Sequence, residues 1–580
     1  MSVKTTYCIG GISLKNWVSS KNEISSGTKK PFRLPNNFVV SAILVGGFSF
    51  RFVGLNVGLP DTPDPRESII AQDVLNLVHF TAPPQTYNWP GTAWFYSIAA
   101  VAKLLSIGGV HLTEARVILF ARCINTLLST ATLWFTYSIG KHADNRRMGQ
   151  IAAGLLAVSM LHATNESRFA LVDIPATFCV TLFLWRVVHA RFSSATLTFP
   201  AAVWLGIIAG VGCAVKFTTI FVCLSLFIFF GSKHFYTRLA IVIGISALTF
   251  TLLCPYWLID LVSPTWNLFF EDFWYEAIHY HRGHFGLIST AEAGWLQRFT
   301  YLWVLLKWGM GLPLAFLAVF GVLRAIISLK SRTGEFPILE ILLLIFVIPY
   351  LLFIGVHKIK FTRHLLILYP ALTLLAAIAL ARLPSAIGDF FKLAPGGSPH
   401  IVEDEPRRYD IFGRWGCGIV AGVVVLYSFV YTAAFSAVTL AQPTRIAVSE
   451  WISAHVPPEE LISSAPVILF DWLLPELDLE TEDEEAEWVL ILVPDLEVFQ
   501  KYQKQPQHYQ DEDWYPLSKI ELEETLAFYD PIIGHGSLYE LHKTFRRTPQ
   551  FLGIPISDAN APFPMRALAH PEFHLYRRSD

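Results

Sequence analysis

Residues 38–57 read FVVSAILVGGFSFRFVGLNV and are followed at once by GLPDTPDPRE over residues 58–67. The first stretch is long and apolar enough to cross the roughly 30 Å hydrocarbon core of a bilayer as one helix. The second stretch is polar and rich in proline, which is typical of a loop that leaves the membrane. An apolar run joined to a charged loop predicts a membrane-spanning chain, and the same pattern recurs further along the sequence.

The composition of all 580 residues agrees with this prediction. Hydrophobic residues make up 53%, aromatic residues 14% and charged residues only 16%. Soluble globular chains carry about 25% charged residues, so most of this chain is expected to be solvated by lipid. These proportions exclude a soluble enzyme, a disordered protein and a disulfide-bonded scaffold. The seven cysteines show no metal-ligand spacing and are interpreted as small buried apolar residues.

About eleven apolar runs are predicted to cross the membrane as helices. They are residues 38–57, 117–139, 149–165, 174–191, 200–215, 217–231, 238–255, 302–328, 336–356, 365–382 and 413–440. The run 91–109 is interpreted as a helix on the outer face, because another crossing would put the basic stretch 141–147 outside. The basic stretches 231–238, 328–333 and 406–414 then also lie in the cytoplasm, where positive charge near membranes is usual.

The same topology divides the chain into five segments. Residues 1–37 are predicted to be a cytoplasmic N-terminal segment, 38–382 a transmembrane domain with an external loop at 58–116, 383–412 a cytoplasmic linker, 413–441 the last crossing and 442–580 an extracytoplasmic domain. From Gln442 onward there are 25 acidic and 10 basic residues, a net charge of −15, against +13 for the remainder. Short apolar runs between acidic helical stretches predict a small α/β fold for this acidic domain.

Nearly all the unusual polar residues of the membrane part fall in external segments, which indicates a site at the outer face. These segments are 58–116, 165–173, 256–301 and 357–364. In the first, Asp64 and Glu67 suit a general base near the bilayer surface. The alternative is a proline-rich turn in which an aspartate caps the next helix.

Further candidates follow in the first two external segments. Tyr87, Asn88 and Trp89 lie in a segment whose aromatic residues suit the interfacial belt of a membrane protein and also suit stacking on a sugar ring. Asp173 heads a predicted span, five residues after Arg168. An ionisable pair at membrane depth is a functional hypothesis, and a helix cap is the alternative for this aspartate.

Basic residues on the outer side run against the usual charge distribution and need a reason. Lys216 stands between two apolar runs, and Lys360 and Arg363 lie in the fourth external segment. Such cations suit a clamp on phosphate, and contact with lipid headgroups is the alternative. His281 and His284 in the third external segment could ligate a metal, but no strict ligand motif is present, so a metal is left open.

The order of these motifs resembles that of lipid-carrier-dependent glycosyltransferases with a polytopic membrane fold. This group, of GT-C type and glycosyltransferase family 39, includes protein O-mannosyltransferases and the bacterial aminoarabinose transferase. The resemblance covers roughly residues 38–384. Its motifs are the acidic loop after the first span, the proline and aromatic segment, Ser167-Arg168-x-x-x-x-Asp173, Gly210-x-x-x-x-x-Lys216, Gly283-His284-x-Gly286 and Lys360-Phe361-x-Arg363.

The resemblance implies an α-helical polytopic enzyme with external juxtamembrane helices, its catalytic domain being residues 38–382. The implied reaction is inverting transfer of a sugar from a polyprenyl-phosphate carrier to a glycan, lipid or protein acceptor on the extracytoplasmic face, most simply of a bacterial plasma membrane. The implied partners include membrane lipid and no nucleic acid. No cofactor is certain, and a divalent metal is left open.

The family's catalytic base falls on Asp64 or Glu67, which stay alternatives because two residues separate them here, whereas the family usually has an adjacent Asp-Glu. By the same resemblance Asp173 belongs to the catalytic site. The implied donor-phosphate residues are Lys216, Lys360, Arg363 and Arg168, and the implied cavity-lining residues are Tyr87, Asn88, Trp89, His281 and His284.

Other classes predict different patterns. A polytopic transporter would place ionisable residues near the bilayer midplane of repeated halves, whereas here they gather at one face and no repeat is visible. A cell-surface polysaccharide polymerase or ligase would usually have one dominant external loop, whereas here the polar residues are spread over four. A non-catalytic scaffold would not need the one-sided set of aspartate, lysine and arginine.

Overall fold

The structure is a computed structural model in which helices form almost all of the membrane part, and helices and a small sheet form the C-terminal part. It describes residues 37–60, 62, 64, 66–87, 91–164, 168–194, 196–263, 268–282, 295–329, 337–393, 405–465, 480–481, 486–504, 519–533, 537–562, 565–566 and 570–579.

The helices before the C-terminal domain follow the predicted apolar runs and external segments. The first eight are α1 (Phe38–Phe52), α2 (Arg66–His79), α3 (Thr92–Ile107), α4 (Glu114–Ala143), α5 (Arg146–Ala157), α6 (Met160–Ala163), α7 (Asp173–Ser193) and α8 (Phe199–Val215). A 3-10 helix, η1 (Phe217–Phe229), comes next. The remainder are α9 (Phe235–Leu253), α10 (Tyr256–Val262), α11 (Leu268–Arg282), α12 (Trp295–Met310), α13 (Leu312–Ser328), α14 (Ile338–Val356), the 3-10 helix η2 (Thr362–Leu368), α15 (Tyr369–Leu393) and α16 (Glu405–Leu440).

Several of these helices have the length and composition of membrane spans. Within the described residues five qualify, and they are Glu114–Ala143, Phe235–Leu253, Ile338–Val356, Thr362–Arg382 and Gly418–His455. Shorter apolar helices are Phe38–Phe52, Thr92–Ile107, Phe199–Val215, Phe217–Phe229 and Leu312–Ser328. The chain is therefore a helical polytopic membrane protein, while the count of eleven crossings stays a prediction.

Two predicted spans are broken by backbone geometry that the apolar pattern did not reveal. The run 302–328 divides at Gly311, whose φ of +83° is unfavourable for other residues, so α12 ends and α13 begins on either side of it. The run 149–165 divides between α5 and α6. There Arg51 Nη1 donates a hydrogen bond to the Ala157 carbonyl at 3.3 Å, which satisfies a carbonyl at the end of α5.

Small residues allow α8 and α9 to pack closely. Gly206 and Gly210 lie four residues apart on α8 and face α9. A Cβ atom on Gly210 would lie 2.5 Å from the Cβ of Thr249, closer than any real contact. Because these positions have no side chain, the two backbones approach closely, as in other small-xxx-small helix pairs. This packing supports the end of α8, which Lys216 follows directly in the chain.

The C-terminal part is an α/β domain, which confirms the predicted fold of the acidic segment. Its strands are β1 (Ile462–Ser464), β2 (Glu480–Thr481), β3 (Trp488–Leu492), β4 (Tyr539–Phe545), β5 (Gln550–Phe551), β6 (Ile554–Pro555) and β7 (Phe573–Arg578), and its helices are α17 (Thr444–His455), α18 (Val493–Lys504) and α19 (Lys519–Ile533). The main sheet has the order β2-β1-β3-β7-β4, with β1 parallel to both neighbours and β7 antiparallel to both of its own. All five side chains of β3 are buried, as expected for an apolar run in a central strand.

This domain packs on the face of the membrane part that carries the first loop. The Arg445 guanidinium on α17 donates a hydrogen bond to the carbonyl of Thr62, between α1 and α2. A buried apolar cluster also joins the two parts, with Ala561 and Met565 packing against Trp308 and Phe435. The acidic domain and the loop bearing Asp64 are therefore on the same side of the molecule, as the predicted topology requires.

Candidate active site

A cavity of about 370 Å³ lies where the start of α7 meets η1, α11, the end of α14 and η2. Its polar wall is made by Arg66, Asp173, Lys216, Glu276, Tyr280, His357, Arg363 and His364. Its apolar wall includes Ile70, Leu171, Phe217, Phe273, Phe353 and Ile354. A cavity lined by both cations and aromatic and aliphatic groups suits an amphipathic ligand with an anionic head.

Asp173 and Lys216 form an ion pair on this wall. The Lys216 Nζ lies 2.5 Å from Asp173 Oδ1, and the aspartate is only 2% exposed. Asp173 is the first residue of α7, yet its carboxylate makes no cap on that helix and binds the lysine instead. Lys216 has an extended backbone between α8 and η1, so its side chain leaves the helix axis and reaches the cavity.

Asp64 is buried beside the cavity and bound to one of its lining residues. Arg66 Nε donates to Asp64 Oδ1 at 2.8 Å, and Arg66 Nη2 donates to Oδ2 at 2.5 Å. Oδ1 also accepts the backbone N–H of Arg66 at 3.1 Å, so the aspartate helps to start α2. Burial would raise the pKa of Asp64, but the Arg66 ion pair, with smaller help from Arg363, holds that pKa below its ordinary value.

Glu67 has a different environment, although it lies only three residues further on. Arg122 donates to its carboxylate from Nε at 2.8 Å and from Nη2 at 2.6 Å. The backbone N–H of Ala170 donates at 2.6 Å, and the Thr62 hydroxyl donates as well. Glu67 is fully buried and is not part of the cavity wall. Its four hydrogen bonds tie the first loop to α4 and to the segment before α7.

Of the four basic residues predicted to bind phosphate, two line the cavity and two do not. Lys216 and Arg363 line the cavity. Lys360 is buried nearby and donates to the carbonyl of His357, and burial, with a contribution from the Arg298 cation, lowers its pKa to about 8. Arg168 lies away from the cavity wall.

Arg168 instead joins the last helix of the membrane part to the first. Its Nη1 donates to the hydroxyls of Ser436 at 3.1 Å and Thr439 at 3.0 Å, and its Nη2 donates to the carbonyl of Phe50 at 2.9 Å. The side chain is 3% exposed. Arg168 therefore joins α16 to α1 and does not line the ligand cavity.

Two cavity residues on α11 were not anticipated from the sequence. Glu276 and Tyr280 both line the cavity, and they are hydrogen-bonded to each other one helical turn apart. Burial raises the pKa of Glu276 to about 7, while the nearby Arg363 and Lys216 cations limit that rise. The signal in the sequence was the i, i+4 spacing of these two polar side chains in an external helix, which carries no motif of its own.

The predicted aromatic and histidine candidates are placed as follows. Tyr87 is fully buried in an aromatic cluster with Tyr256 and Phe269, beside the cavity wall and not on it, and its backbone N–H donates to Asp272 at 2.6 Å. Asn88, Trp89, His284 and the side chain of His281 lie outside the described residues. Within the described part of the chain, no three His, Cys, Asp or Glu side chains come together as metal ligands.

The fold is the GT-C fold of lipid-carrier-dependent membrane glycosyltransferases, which confirms the predicted fold class and, at the level of the fold, the resemblance. ArnT from Cupriavidus metallidurans bound to undecaprenyl phosphate matches with a TM-score of 0.50 and 16% identity, over 81% of this chain and 89% of that one. The archaeal oligosaccharyltransferase AglB from Archaeoglobus fulgidus, in complex with an inhibitory peptide and a dolichol-phosphate, matches with a TM-score of 0.50 and 12% identity, over 93% of this chain and 88% of that one. No protein-family model matches the chain, and no curated protein matches it in sequence.

Proposed function

We propose that this chain is a membrane glycosyltransferase that moves a sugar from a polyprenyl-phosphate carrier to an acceptor at the cavity described above. The observation that carries the proposal is the cavity itself, in which two cations, Lys216 and Arg363, stand beside an apolar wall. Such a cavity fits a phosphate head and the first isoprene units of a lipid carrier. The solved neighbours were obtained with undecaprenyl phosphate and with dolichol-phosphate, which are ligands of this kind.

The proposed reaction is a single displacement with inversion. The acceptor oxygen forms a bond to the anomeric carbon while the bond from that carbon to the phosphate oxygen breaks, and the bonding pair leaves with the phosphate. Lys216 and Arg363 stabilise the charge that develops on the leaving phosphate. The acceptor proton passes to a carboxylate of the first loop.

Asp64 is the loop carboxylate that fits this role. It is held against the cavity residue Arg66, and its lowered pKa keeps it ionised and able to accept a proton. Glu67 is assigned to structure instead, because all its hydrogen-bonding capacity is used by Arg122, Ala170 and Thr62. Asp173 is assigned to orienting Lys216. Lys360 is assigned to holding the cavity residue His357, and Arg168 to joining α16 to α1.

The proposed topology follows from the same assignment. Residues 1–37 and 383–412 are cytoplasmic, 413–441 make the last crossing, and 58–116 and 442–580 are extracytoplasmic. The contact between Arg445 and the Thr62 carbonyl supports this arrangement, because it puts the C-terminal domain next to the first loop. An active site outside a bacterial plasma membrane would take a glycan, lipid or protein acceptor from the envelope.

Sugar transfer measured in purified membranes tests the proposal. Radiolabelled polyprenyl-phosphate sugars are offered to the wild type and to Asp64→Asn, Glu67→Gln and Asp173→Asn. We expect Asp64→Asn to lose about 10²–10⁴-fold in rate, the usual worth of a general base, with expression unchanged. Equal transfer in all variants would remove the catalytic assignment. No transfer from any donor by the wild type would favour a transporter or a polysaccharide polymerase.

A further inference from the structure

Glu276 is one of two carboxylates on the wall of a cavity whose proposed ligand is a phosphate. It projects from α11 into the same space as Lys216 and Arg363. Asp173, the other carboxylate on this wall, has its charge balanced by Lys216 at 2.5 Å. An ionised Glu276 would therefore add a negative charge close to the position of the donor phosphate. Like charges in a partly buried site repel strongly, so this carboxylate needs a function there.

We propose that Glu276 controls access of the donor phosphate, which binds only when Glu276 is protonated and donates a hydrogen bond to a phosphate oxygen. The proposal rests on the proposed function, since it assumes a phosphate ligand in this cavity. It adds a determinant of ligand binding on α11 to the residues predicted from the sequence. In the protonated form the wall keeps the positive charge of Lys216 and Arg363 and gains one more donor.

A hydrogen-bond relay through Tyr280 and His364 affects whether Glu276 is protonated or ionised in the empty site. The Phe361 N–H points to His364 Nδ1 at 3.4 Å, so Nδ1 accepts and Nε2 carries the proton. His364 Nε2 lies 3.2 Å from the Tyr280 hydroxyl, which accepts from it and donates its own proton to Glu276. This relay stabilises the ionised carboxylate, whereas burial opposes it.

The charged and titratable groups around Glu276 give the direction of the pH dependence. Asp272 and Tyr280 face it from its own helix, Lys216 from the start of η1 and Arg363 from η2. His357, His364, Asp173 and Arg66 line the same cavity from their own elements. With a pKa near 7, Glu276 is protonated in mildly acidic solution and ionised in mildly alkaline solution. Donor binding should therefore weaken as the pH rises through this value.

The test is a binding measurement on the full-length purified protein with farnesyl methyl phosphate, a phosphodiester that keeps one negative charge throughout the pH range. The dissociation constant is measured between about pH 5.5 and pH 8.5, a range that extends to both sides of the Glu276 pKa of about 7. We expect binding by the wild type to weaken roughly thirtyfold over this range, because a carboxyl group with a pKa of about 7 changes from almost fully protonated at pH 5.5 to about 3% protonated at pH 8.5. Glu276→Gln should bind at every pH as the wild type does at acidic pH.

Tyr280→Phe is the second variant and keeps the test decisive if Glu276→Gln folds poorly. It removes the hydrogen bond that stabilises the ionised carboxylate, so the weakening should move to higher pH.

A pH profile in Glu276→Gln equal to that of the wild type, or an unmoved profile in Tyr280→Phe, would overturn the inference while leaving the proposed function intact. Absence of binding by the wild type at every pH would overturn both together.

Discussion

The Glu67 carboxylate and the Arg122 guanidinium form a buried bidentate ion pair, with Nε at 2.8 Å from Oε1 and Nη2 at 2.6 Å from Oε2. Glu67→Ala should therefore leave the arginine charge buried without its partner, which typically costs about 3–5 kcal/mol. We expect a markedly lower thermal-unfolding midpoint in detergent. Glu450→Ala is the matched control, because Glu450 is exposed and its hydrogen bond from Gln442 lies at the surface, so its loss should change the midpoint little. A Glu67→Ala protein with normal stability but no transfer would instead make Glu67 the base.

Replacement of Arg66 should change the pH dependence of transfer. Arg66 holds the pKa of Asp64 below its ordinary value against the opposing effect of burial. In Arg66→Gln burial remains and the cation is lost, so the pKa rises and the base stays protonated to higher pH. The acidic limb of the pH–rate profile should therefore move upward, and Arg66→Lys should move it less. An unchanged limb in Arg66→Gln would show that Asp64 does not carry the titrating base.

Replacing Lys216 and replacing Asp173, the two members of the ion pair on the cavity wall, should change the KM for the donor to different extents. Lys216→Met removes a charge-assisted contact to the donor phosphate, and we expect the KM for the donor to rise about tenfold to a hundredfold. Asp173→Asn should raise this KM less, because the amide oxygen still accepts a hydrogen bond from the Lys216 Nζ. Lys103→Met serves as the control, since Lys103 donates to the Val78 carbonyl outside the cavity. Equal KM values in the Lys216 and Lys103 variants would contradict phosphate binding by Lys216.

The acidic domain should influence catalysis through Arg445. Its guanidinium binds the Thr62 carbonyl, and the Thr62 hydroxyl lies 3.3 Å from the backbone N–H of Asp64. Arg445→Ala should loosen the loop that carries the proposed base and lower kcat about tenfold, as small misplacements of catalytic groups do, with little change in donor KM. Arg547→Ala, at an exposed position of the same domain, is the control. Unchanged kcat in Arg445→Ala would make the contact irrelevant to the reaction.

The sequence was sufficient for the class of fold because apolar runs and basic stretches are local properties. It also singled out Asp173, Lys216 and Arg363, three residues that line one cavity although they are spread along the chain. Their common feature was charge at the predicted outer face, which is costly for an apolar chain and therefore informative.

The same reasoning did not separate Asp64 from Glu67, because both lie in one short loop with similar neighbours. The difference comes from Arg122, 55 residues from Glu67 in sequence, and from the Ala170 N–H. It likewise grouped Arg168 with the phosphate residues, whereas that side chain bonds Ser436 and Thr439 on α16. Partners so distant in sequence leave no local pattern.

The sequence by itself determined that this chain is a helical polytopic membrane protein with an acidic α/β domain, because hydropathy and charge are summed over neighbouring residues. Only the tertiary structure decided that Glu276 shares a cavity with Lys216 and Arg363, and that Glu67 is saturated by Arg122. Those outcomes depend on how distant helices pack, and packing is set by contacts between residues that are far apart in the chain.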